Sequence, residues 1–287
     1  MIAPELLVLG HVTRDIVGDQ VRLGGAASYA CRAAATFAVP TGLVTVAPAD
    51  DVLLRPLRAI AGVVIHRIDA PEATTFELTY AGAARRIRLR ARAPDLRPGD
   101  IPQPWRDAPV AYVGPVIGEC DRALVAGLRG RTIVVGIQGW LRRSCGDGTL
   151  QPTVLDAAQR LPSGLAAVVL SELDHPDAEA LAARLVRRCP VVAVTRGAAG
   201  VTLYTPAEVR HVAAAPAREV EPTGAGDVFG VVLALALNAG ISLMEAATVA
   251  CGAAARVVEG PDLGTLTRPS LQGLWPVVGS AALRRGA

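Results

Sequence analysis

The chain has 287 residues, of which 51% are hydrophobic and 19% are charged, and its formal net charge is +3. This composition excludes a disordered chain, and the lack of an apolar run of about 20 residues argues against a membrane-spanning helix. Apart from the run at 85–92 the basic residues are scattered, so neither nucleic acid nor a membrane is expected as a partner. The sequence contains no lysine, which excludes a Walker A loop and a Schiff-base enzyme.

The predicted elements alternate between strands and helices. Buried β-like runs are predicted at 6–10, 42–46, 63–67, 110–113, 132–136, 166–170 and 191–195, and helices at 26–37, 51–60, 121–128, 153–161 and 177–188. This alternation predicts an α/β fold with a mostly parallel central sheet and helices on both faces.

Two segments depart from that rhythm. Residues 74–91 form two β-rich runs around "AGAA" and predict a hairpin that leaves the main sheet. Near the other end, β-like runs at 200–204 and 208–213 are followed by two consecutive helices, at 228–238 and 243–258. No linker is long enough to divide the chain, so residues 1–287 are predicted to be a single domain.

The five cysteines are odd in number, widely spaced and without a CxxC pair, which predicts neither a disulfide framework nor a zinc site. The first 15 residues lack a basic segment and a small-residue cleavage site, and they are interpreted as a first buried strand. A cytoplasmic location is therefore expected.

The stretch "EPTGAGDVFG" at 221–230 follows a β-like run and opens a long apolar helix. The amides of Gly224, Ala225 and Gly226 then lie at a helix N-terminus, which favours bound anions, and Asp227 lies in the first turn. Two alternatives remain at this point. Asp227 could merely cap the helix, or the glycines could belong to a dinucleotide fingerprint, although no second strand follows to complete a βαβ unit.

Together with "LGGAAS" at 23–28, the "TGAGD" at 223–227 resembles the two glycine motifs of the ribokinase-like (PfkB) carbohydrate kinases. The likeness extends to the order of the other elements and to "TRGAAGVTLY" at 195–204. It implies a ribokinase-like fold with a small β-rich lid built from short insertions near 16–24 and 72–92. The stretches "GHVTRD", "LGGAASY", "TTFELTY" and "IQGWLR" look most similar to the myo-inositol kinase branch.

The resemblance implies a role for each residue that matches a family motif. Asp227 would be the catalytic base, with the amides of Gly224, Ala225 and Gly226 as the anion hole. The residues implied for the acceptor site are Asp15, Gly24, Gly25, Tyr29, Gln138 and Arg142, and those implied for the nucleotide site are Thr195, Gly197, Gly200 and Thr223. Gln138 and Arg142 could equally lie on the surface, and none of the four histidines is assigned a catalytic role.

Three positions depart from the family pattern. Tyr29 stands where many members have an asparagine, which favours an aromatic wall against a ring over a ribose-type acceptor. Glu221 and Pro222 replace the commoner Asp-Thr. In "SELD", at 171–174, Asp174 keeps a carboxylate that could serve Mg²⁺, while Ser171 replaces an amide.

The implied reaction is transfer of the γ-phosphoryl group of ATP to a small sugar or polyol, myo-inositol-like in preference, with ATP and Mg²⁺ required. The alternatives are a nucleoside kinase on the same scaffold and a sensor without turnover. Lid closure would exclude water from the site. Lids of this family also meet across a dimer, so a homodimer through the lid is expected.

Overall fold

The computed structural model describes residues 3–49, 51–81, 84–153 and 161–260. The strands are β1 (Leu6–Leu9), β2 (Thr13–Val17), β3 (Gln20–Gly24), β4 (Thr41–Ala47), β5 (Val63–Asp69), β6 (Thr75–Ala81), β7 (Ala84–Ala91), β8 (Val110–Val113), β9 (Thr132–Gly136), β10 (Arg142–Ser144), β11 (Leu150–Pro152), β12 (Ala167–Ser171), β13 (Val192–Thr195), β14 (Val201–Tyr204) and β15 (Val209–Val212). The helices are α1 (Ala26–Thr36), α2 (Arg55–Arg58), α3 (Arg122–Ala126), α4 (Ala178–Leu185), α5 (Ala225–Asn238) and α6 (Leu243–Val257).

The central sheet has nine strands in the order β15-β14-β13-β12-β9-β8-β1-β4-β5. All neighbours from β5 to β13 pair in parallel, and β14 and β15 add an antiparallel edge. The inner strands are short apolar runs that are buried along their length, as expected when helices cover both faces of a parallel sheet.

Alternate side chains of each strand enter two different cores. Leu6 and Val8 of β1 pack with α1, α5 and α6 on one face. Leu7 and Leu9 pack with α3 and α4 on the other. This period of two follows from the pleat of the strand, and it fixes which face of the sheet the motif-bearing helices α1 and α5 cover.

A separate four-stranded sheet, called here the lid sheet, has the order β3-β2-β6-β7. It begins at Thr13 and Thr75, slightly before and after the bounds predicted for the two insertions. Its underside buries Phe76 and Leu78 against Val116 and Ile117, which follow β8. The lid sheet therefore packs over the loops at the carboxyl end of the central strands.

Some local predictions were wrong or incomplete. The helix predicted over 51–60 is a 3₁₀ turn at Val52–Leu54 followed by the short α2. Pro56 explains the break, because a proline lacks the amide that a helix interior needs but is tolerated in a first turn. The antiparallel pair β10–β11 was not predicted. The helix predicted over 153–161 falls almost wholly outside the described residues.

In the described part of the chain, no helix combines the length and the apolar character that crossing a membrane requires.

Candidate active site

The N-terminus of α5 presents free backbone amides. Gly224 is the N-cap, with a φ of 85° in the left-handed region that favours glycine. The amide of Ala225 donates to the carbonyl of Pro222 at 3.3 Å, whereas within the described residues the amides of Gly224, Gly226 and Asp227 have no hydrogen-bond acceptor. Free N–H groups at the positive end of a 14-residue helix form an anion-binding site.

Asp227 lies in the first turn of α5 and is half-buried. Its Oδ1 accepts a 2.8 Å hydrogen bond from the hydroxyl of Tyr112 on β8. Burial raises the pKa of the Asp227 carboxyl to about 6, and the negative charge of Asp174 adds to the rise, while the Tyr112 hydrogen bond and the positive charge of Arg142 lower it. The carboxylate is therefore more basic than an exposed aspartate but is still ionised at neutral pH.

Tyr29 of α1 packs against the anion site. A Cβ built on Gly224 would lie 2.3 Å from Cδ1 of the Tyr29 ring, so only glycine allows this approach. Tyr29 is 8% exposed, which leaves little of its side chain for a ligand. The tertiary structure thus joins the two glycine motifs, which lie about 200 residues apart in the chain, through one aromatic ring.

Asp15 and the glycine pair form one local unit at the base of the lid sheet. The Asp15 carboxylate lies over Gly24, where a Cβ would come within 2.1 Å of Oδ2. The hydroxyl of Thr13 donates to Oδ1 at 2.7 Å. Gly25, at a φ of 88°, is the N-cap of α1 and approaches the carbonyl of His11. Asp15, Gly24 and Gly25 therefore lie together at the base of the lid sheet.

Asp174 and Gln138 are hydrogen-bonded to each other. Gln138 Nε2 donates to Asp174 Oδ1 at 2.9 Å, and the amide of Ser171 donates to Oδ2 at 2.7 Å. The described residues contain no group of three or more His, Cys, Asp or Glu side chains that could hold a metal ion. A single carboxylate of this kind suits Mg²⁺ that is coordinated mainly by phosphate and water, and it does not suit a metal caged by protein ligands.

Arg142 connects the site with the lid sheet. Its Nε donates to the carbonyl of Val116 at 2.6 Å, and its guanidinium lies over the ring of Phe76, 5.3 Å from the centroid. Such a cation–π contact contributes about 0.5–1 kcal/mol when partly exposed. The positive charge also acts on Asp227. Arg142 therefore links the lid sheet to the loop after β8, and its charge acts on Asp227.

The residues predicted for the nucleotide lie in two places, the turn after β13 and the turn before α5. Thr195 ends β13 next to Ser171, and its hydroxyl donates to the carbonyl of Leu170 at 3.4 Å. Gly197 and Gly200 have φ values of 52° and 95° in the turn between β13 and β14. No contact recorded for the described residues joins these three to Asp227. The Thr223 hydroxyl donates to the Glu221 carboxylate in the turn before α5.

Sequence reasoning missed Tyr112 and Glu119. Glu119 is fully buried and accepts hydrogen bonds from the amides of His11 (3.0 Å), Val116 (2.9 Å) and Ile117 (2.8 Å). It stabilises the loop after β8 together with the chain at the end of β1. Glu119 could have been noticed in the sequence because it is an acid within the otherwise apolar stretch 110–120. Tyr112 could not, because it resembles an ordinary aromatic residue of the core.

His11 is hydrogen-bonded through both nitrogens of its buried ring. Its ring nitrogens pair with the hydroxyl of Thr74 at 2.8 Å and the carbonyl of Pro94 at 2.9 Å, which flank the strands β6 and β7 of the lid sheet. Burial lowers the pKa of the imidazole, more than the charge of Glu119 raises it. A neutral His11 therefore anchors both ends of the β6–β7 hairpin to the central sheet.

Solved structures share this architecture. A pyrophosphate-dependent kinase in the ribokinase family, complexed with a pyrophosphate analog and myo-inositol, superposes with a TM-score of 0.78 at 19% identity, over 93% of this chain and 99% of that chain. Ribokinase of Arabidopsis thaliana, complexed with ribose and ATP, gives 0.69 at 17% identity, over 96% and 99%. The chain therefore has the ribokinase-like fold predicted from its sequence.

One segment of the chain is similar to a known family. Residues 164–269 match the family described as "pfkB family carbohydrate kinase", and this segment contains the whole "TGAGD" motif. The match agrees with the resemblance predicted from the sequence. Inositol 3-kinase of Zea mays is 34% identical over 176 residues, which are 58% of this chain and 44% of that protein, so the match spans less than half of the maize protein.

Proposed function

We propose that this protein transfers the γ-phosphoryl group of ATP to a hydroxyl of a small sugar or polyol, with a myo-inositol-like acceptor favoured. The observation that carries the proposal is the pairing of Asp227, a half-buried and moderately basic carboxylate, with the free amides of Gly224 and Gly226 on the same helix turn. Phosphoryl transfer needs this combination of a positioned base and fixed dipoles that stabilise the oxygens of the moving group.

In the proposed reaction the acceptor hydroxyl gives its proton to Asp227 as its oxygen attacks the γ-phosphorus. The bond from that phosphorus to the bridging oxygen breaks, and ADP leaves with the electron pair. The free amides at the start of α5 hold the oxygens of the transferred group. A carboxyl pKa of about 6 suits this role, because the base is ionised at neutral pH and still accepts a proton as the transfer proceeds.

The acceptor is proposed to lie between Asp15 and Asp227, over the Gly24–Gly25 backbone. A carboxylate accepts hydrogen bonds from vicinal hydroxyls, and the lack of a side chain at Gly24 leaves the room that the Asp15 carboxylate occupies. The edge of Tyr29 limits the space beside Gly224. The likeness to maize inositol 3-kinase supports a polyol acceptor, and a nucleoside remains the alternative that the experiment below decides.

The donor is proposed to extend from the α5 N-terminus toward Thr195, Gly197 and Gly200. Asp174 and its partner Gln138 would face a Mg²⁺ ion bound to the donor phosphates, which would neutralise part of their charge. The lid sheet is proposed to exclude water when the acceptor binds. Val21, exposed on its outer strand β3, is compatible with the proposed homodimer through the lid.

The test of the function is phosphoryl transfer across a panel of acceptors and donors. ADP release from Mg-ATP would be measured with myo-inositol, hexoses, pentoses and nucleosides, and phosphate release with Mg-pyrophosphate as donor. Release that depends on a polyol or sugar is the expected result. Release with nucleosides alone would show that the protein is a nucleoside kinase. Release with pyrophosphate alone would show that pyrophosphate, and not ATP, is the donor. ATP binding without any turnover would favour a sensor.

The variant Gly226→Ala tests whether Gly226 is needed for phosphate binding or for the fold. A Cβ at Gly226 meets no atom within 4 Å and the backbone needs no positive φ, so the fold should tolerate alanine, which also favours helix. The added methyl group would stand beside a free amide and obstruct phosphate. We expect an unchanged or higher melting temperature and an increase of roughly tenfold or more in the KM for the donor.

The matched control for Gly226→Ala is Gly99→Ala, because Gly99 is equally unobstructed and lies in the loop before β8. It should leave both stability and kinetics close to those of the parent. If Gly226→Ala binds the donor as tightly as the parent protein does, the Gly226 amide is not part of the anion hole.

A further inference from the structure

Tyr112 occupies a slot whose walls are glycines. The residue lies on β8 and is 1% exposed. A Cβ on Gly230 of α5 would come within 2.6 Å of its Cε2, and a Cβ on Gly136 of β9 would come within 2.7 Å of its hydroxyl. Gly114, just after β8, would place a Cβ 3.1 Å from Cε1. Glycines in α5, in β9 and just after β8 therefore leave the space that the Tyr112 ring fills, and the ring has little freedom to move.

The phenol ends at the carboxylate of Asp227. Its hydroxyl donates to Oδ1 at 2.8 Å, and this is the only hydrogen bond recorded for the carboxylate among the described residues. Since β8 belongs to the rigid central sheet, the bond fixes Oδ1 relative to the sheet and leaves Oδ2 available. The geometry joins residues 115 positions apart in the chain.

We propose that Tyr112 is a positioning residue that orients Asp227, so that Oδ1 is held by the phenol and Oδ2 receives the proton of the acceptor hydroxyl. This inference rests on the proposed function of Asp227 as base. Tyr112 itself does not touch the substrate. Its effect on the reaction passes through the carboxylate, and a charge-assisted hydrogen bond of this kind is among the stronger side-chain interactions.

The charged and titratable groups that act on Asp227 come from three other elements. They are Tyr112 on β8, Asp174 in the turn after β12, and Arg142 on β10. Burial and the charge of Asp227 raise the pKa of the Tyr112 phenol well above its ordinary value, so it remains a donor throughout the working pH range. Because the Tyr112 hydrogen bond favours the ionised carboxylate, removing it must raise the pKa of Asp227.

The variant that tests the inference is Tyr112→Phe, which keeps the ring in its slot and removes only the donor. In a plot of kcat/KM against pH, the acidic limb is expected to move to higher pH by about one unit. The reason is that the free energy of a hydrogen bond to a charged group corresponds to a shift of roughly one unit in the pKa of that group. The fall in activity should then be about fivefold near pH 6 and small near pH 8.5, apart from any constant loss caused by misorientation. KM for the acceptor should change less than kcat.

Tyr204→Phe is the matched control. Tyr204 is also largely buried, 9% exposed, but it ends β14 and pairs with Val192 at the start of β13, at the end of the strands opposite the site. Loss of that hydroxyl should leave the pH profile unchanged. A second variant, Gly136→Ala, retains the phenol but pushes on its hydroxyl and should move the acidic limb in the same direction as Tyr112→Phe.

The outcomes distinguish this inference from the proposed function. If Asp227→Asn loses turnover while Tyr112→Phe and Gly136→Ala keep the parent pH profile, the base stands and the positioning role is overturned. If Asp227→Asn keeps turnover, Asp227 is not the base, and the base role in the proposed function fails before the positioning role is tested. A carboxyl titration of Asp227 by carbon NMR needs no activity, and an unshifted pKa in Tyr112→Phe would also overturn the inference. In the Asp227→Asn background, Tyr112→Phe should have no further kinetic effect.

Discussion

Asp227→Asn is expected to lower kcat by about 10²–10⁴, the usual contribution of a general base, while the chain remains folded. Asparagine has nearly the shape of aspartate and can still accept the hydrogen bond of Tyr112 through its side-chain oxygen. It has no carboxylate to receive the proton of the acceptor. In the parent protein kcat/KM should rise with pH through about 6, the pKa of Asp227, and this limb should be absent from the residual activity of the variant.

The same substitution should preserve or increase stability at pH 8. The pKa of Asp227 is raised in the folded state, so the folded chain binds this proton more tightly than the unfolded chain does. Stability from this group is therefore highest below the ordinary aspartate pKa of about 4 and decreases as the pH rises through about 6. Asparagine carries no charge to bury, so its melting temperature relative to the parent should be higher at pH 8 than at pH 5.

Asp107→Asn is the control for the aspartate-to-asparagine change. Asp107 lies before β8 and forms an exposed ion pair with Arg129, at the end of the sheet opposite the N-terminus of α5. Such a pair contributes little to stability, and its loss should not alter kcat. Turnover in Asp227→Asn equal to that of the Asp107→Asn control would exclude Asp227 as the base, whereas a variant that unfolds would show a structural role instead.

Gly224→Ala is expected to lower kcat/KM by about 10²-fold, the size of effect that a misplaced reacting group produces. Gly224 has a φ of 85°, and a Cβ there would lie 2.3 Å from the Tyr29 ring. Either the ring must move or the first turn of α5 must open, and each response displaces the free amides or Asp227. Activity with the best acceptor and the melting temperature would be measured together.

Gly240→Ala isolates the backbone part of that effect. Gly240 follows the other end of α5 at a φ of 81°, and a Cβ there meets nothing within 4 Å. It should show only the cost of a left-handed alanine, about 1 kcal/mol, with normal kinetics. In the double variant Gly224→Ala/Tyr29→Ala the clash between the new Cβ and the aromatic ring is relieved. Its loss of stability should therefore be smaller than the sum of the losses in the two single variants. Normal kinetics in Gly224→Ala would contradict a precise placement of the α5 amides.

Local patterns in the sequence were sufficient for most strands of the central sheet and for the start of α5. Apolar runs of strand length predicted β1, β4, β8, β9, β12 and β13, because a parallel sheet buries both faces of its strands. The glycines before Asp227 predicted the helix start, because few residues other than glycine adopt the backbone conformation found at Gly224. Such signals depend on neighbours in the chain and can be recognised without the fold.

The environment of Asp227 depended on contacts between distant parts of the chain. Nothing near Tyr112 in the sequence indicates that its hydroxyl meets Asp227, since the bond requires β8 to lie beneath α5. The contact between Arg142 and Phe76 likewise requires the lid sheet to pack against the loop after β9. The buried carboxylate of Glu119 likewise accepts hydrogen bonds from amides of two separate loops.

The sequence alone thus predicted the fold class, the family resemblance and the start of α5. The side chains that set the basicity and orientation of Asp227 could be recognised only in the folded chain. The difference is one of range, because helix starts and strand patterns arise from backbone conformation and periodicity within a few residues. Burial, hydrogen bonding and charge instead depend on every element that packs around a group, and they are fixed only when the sheet order brings β8, β10 and the turn after β12 beside α5.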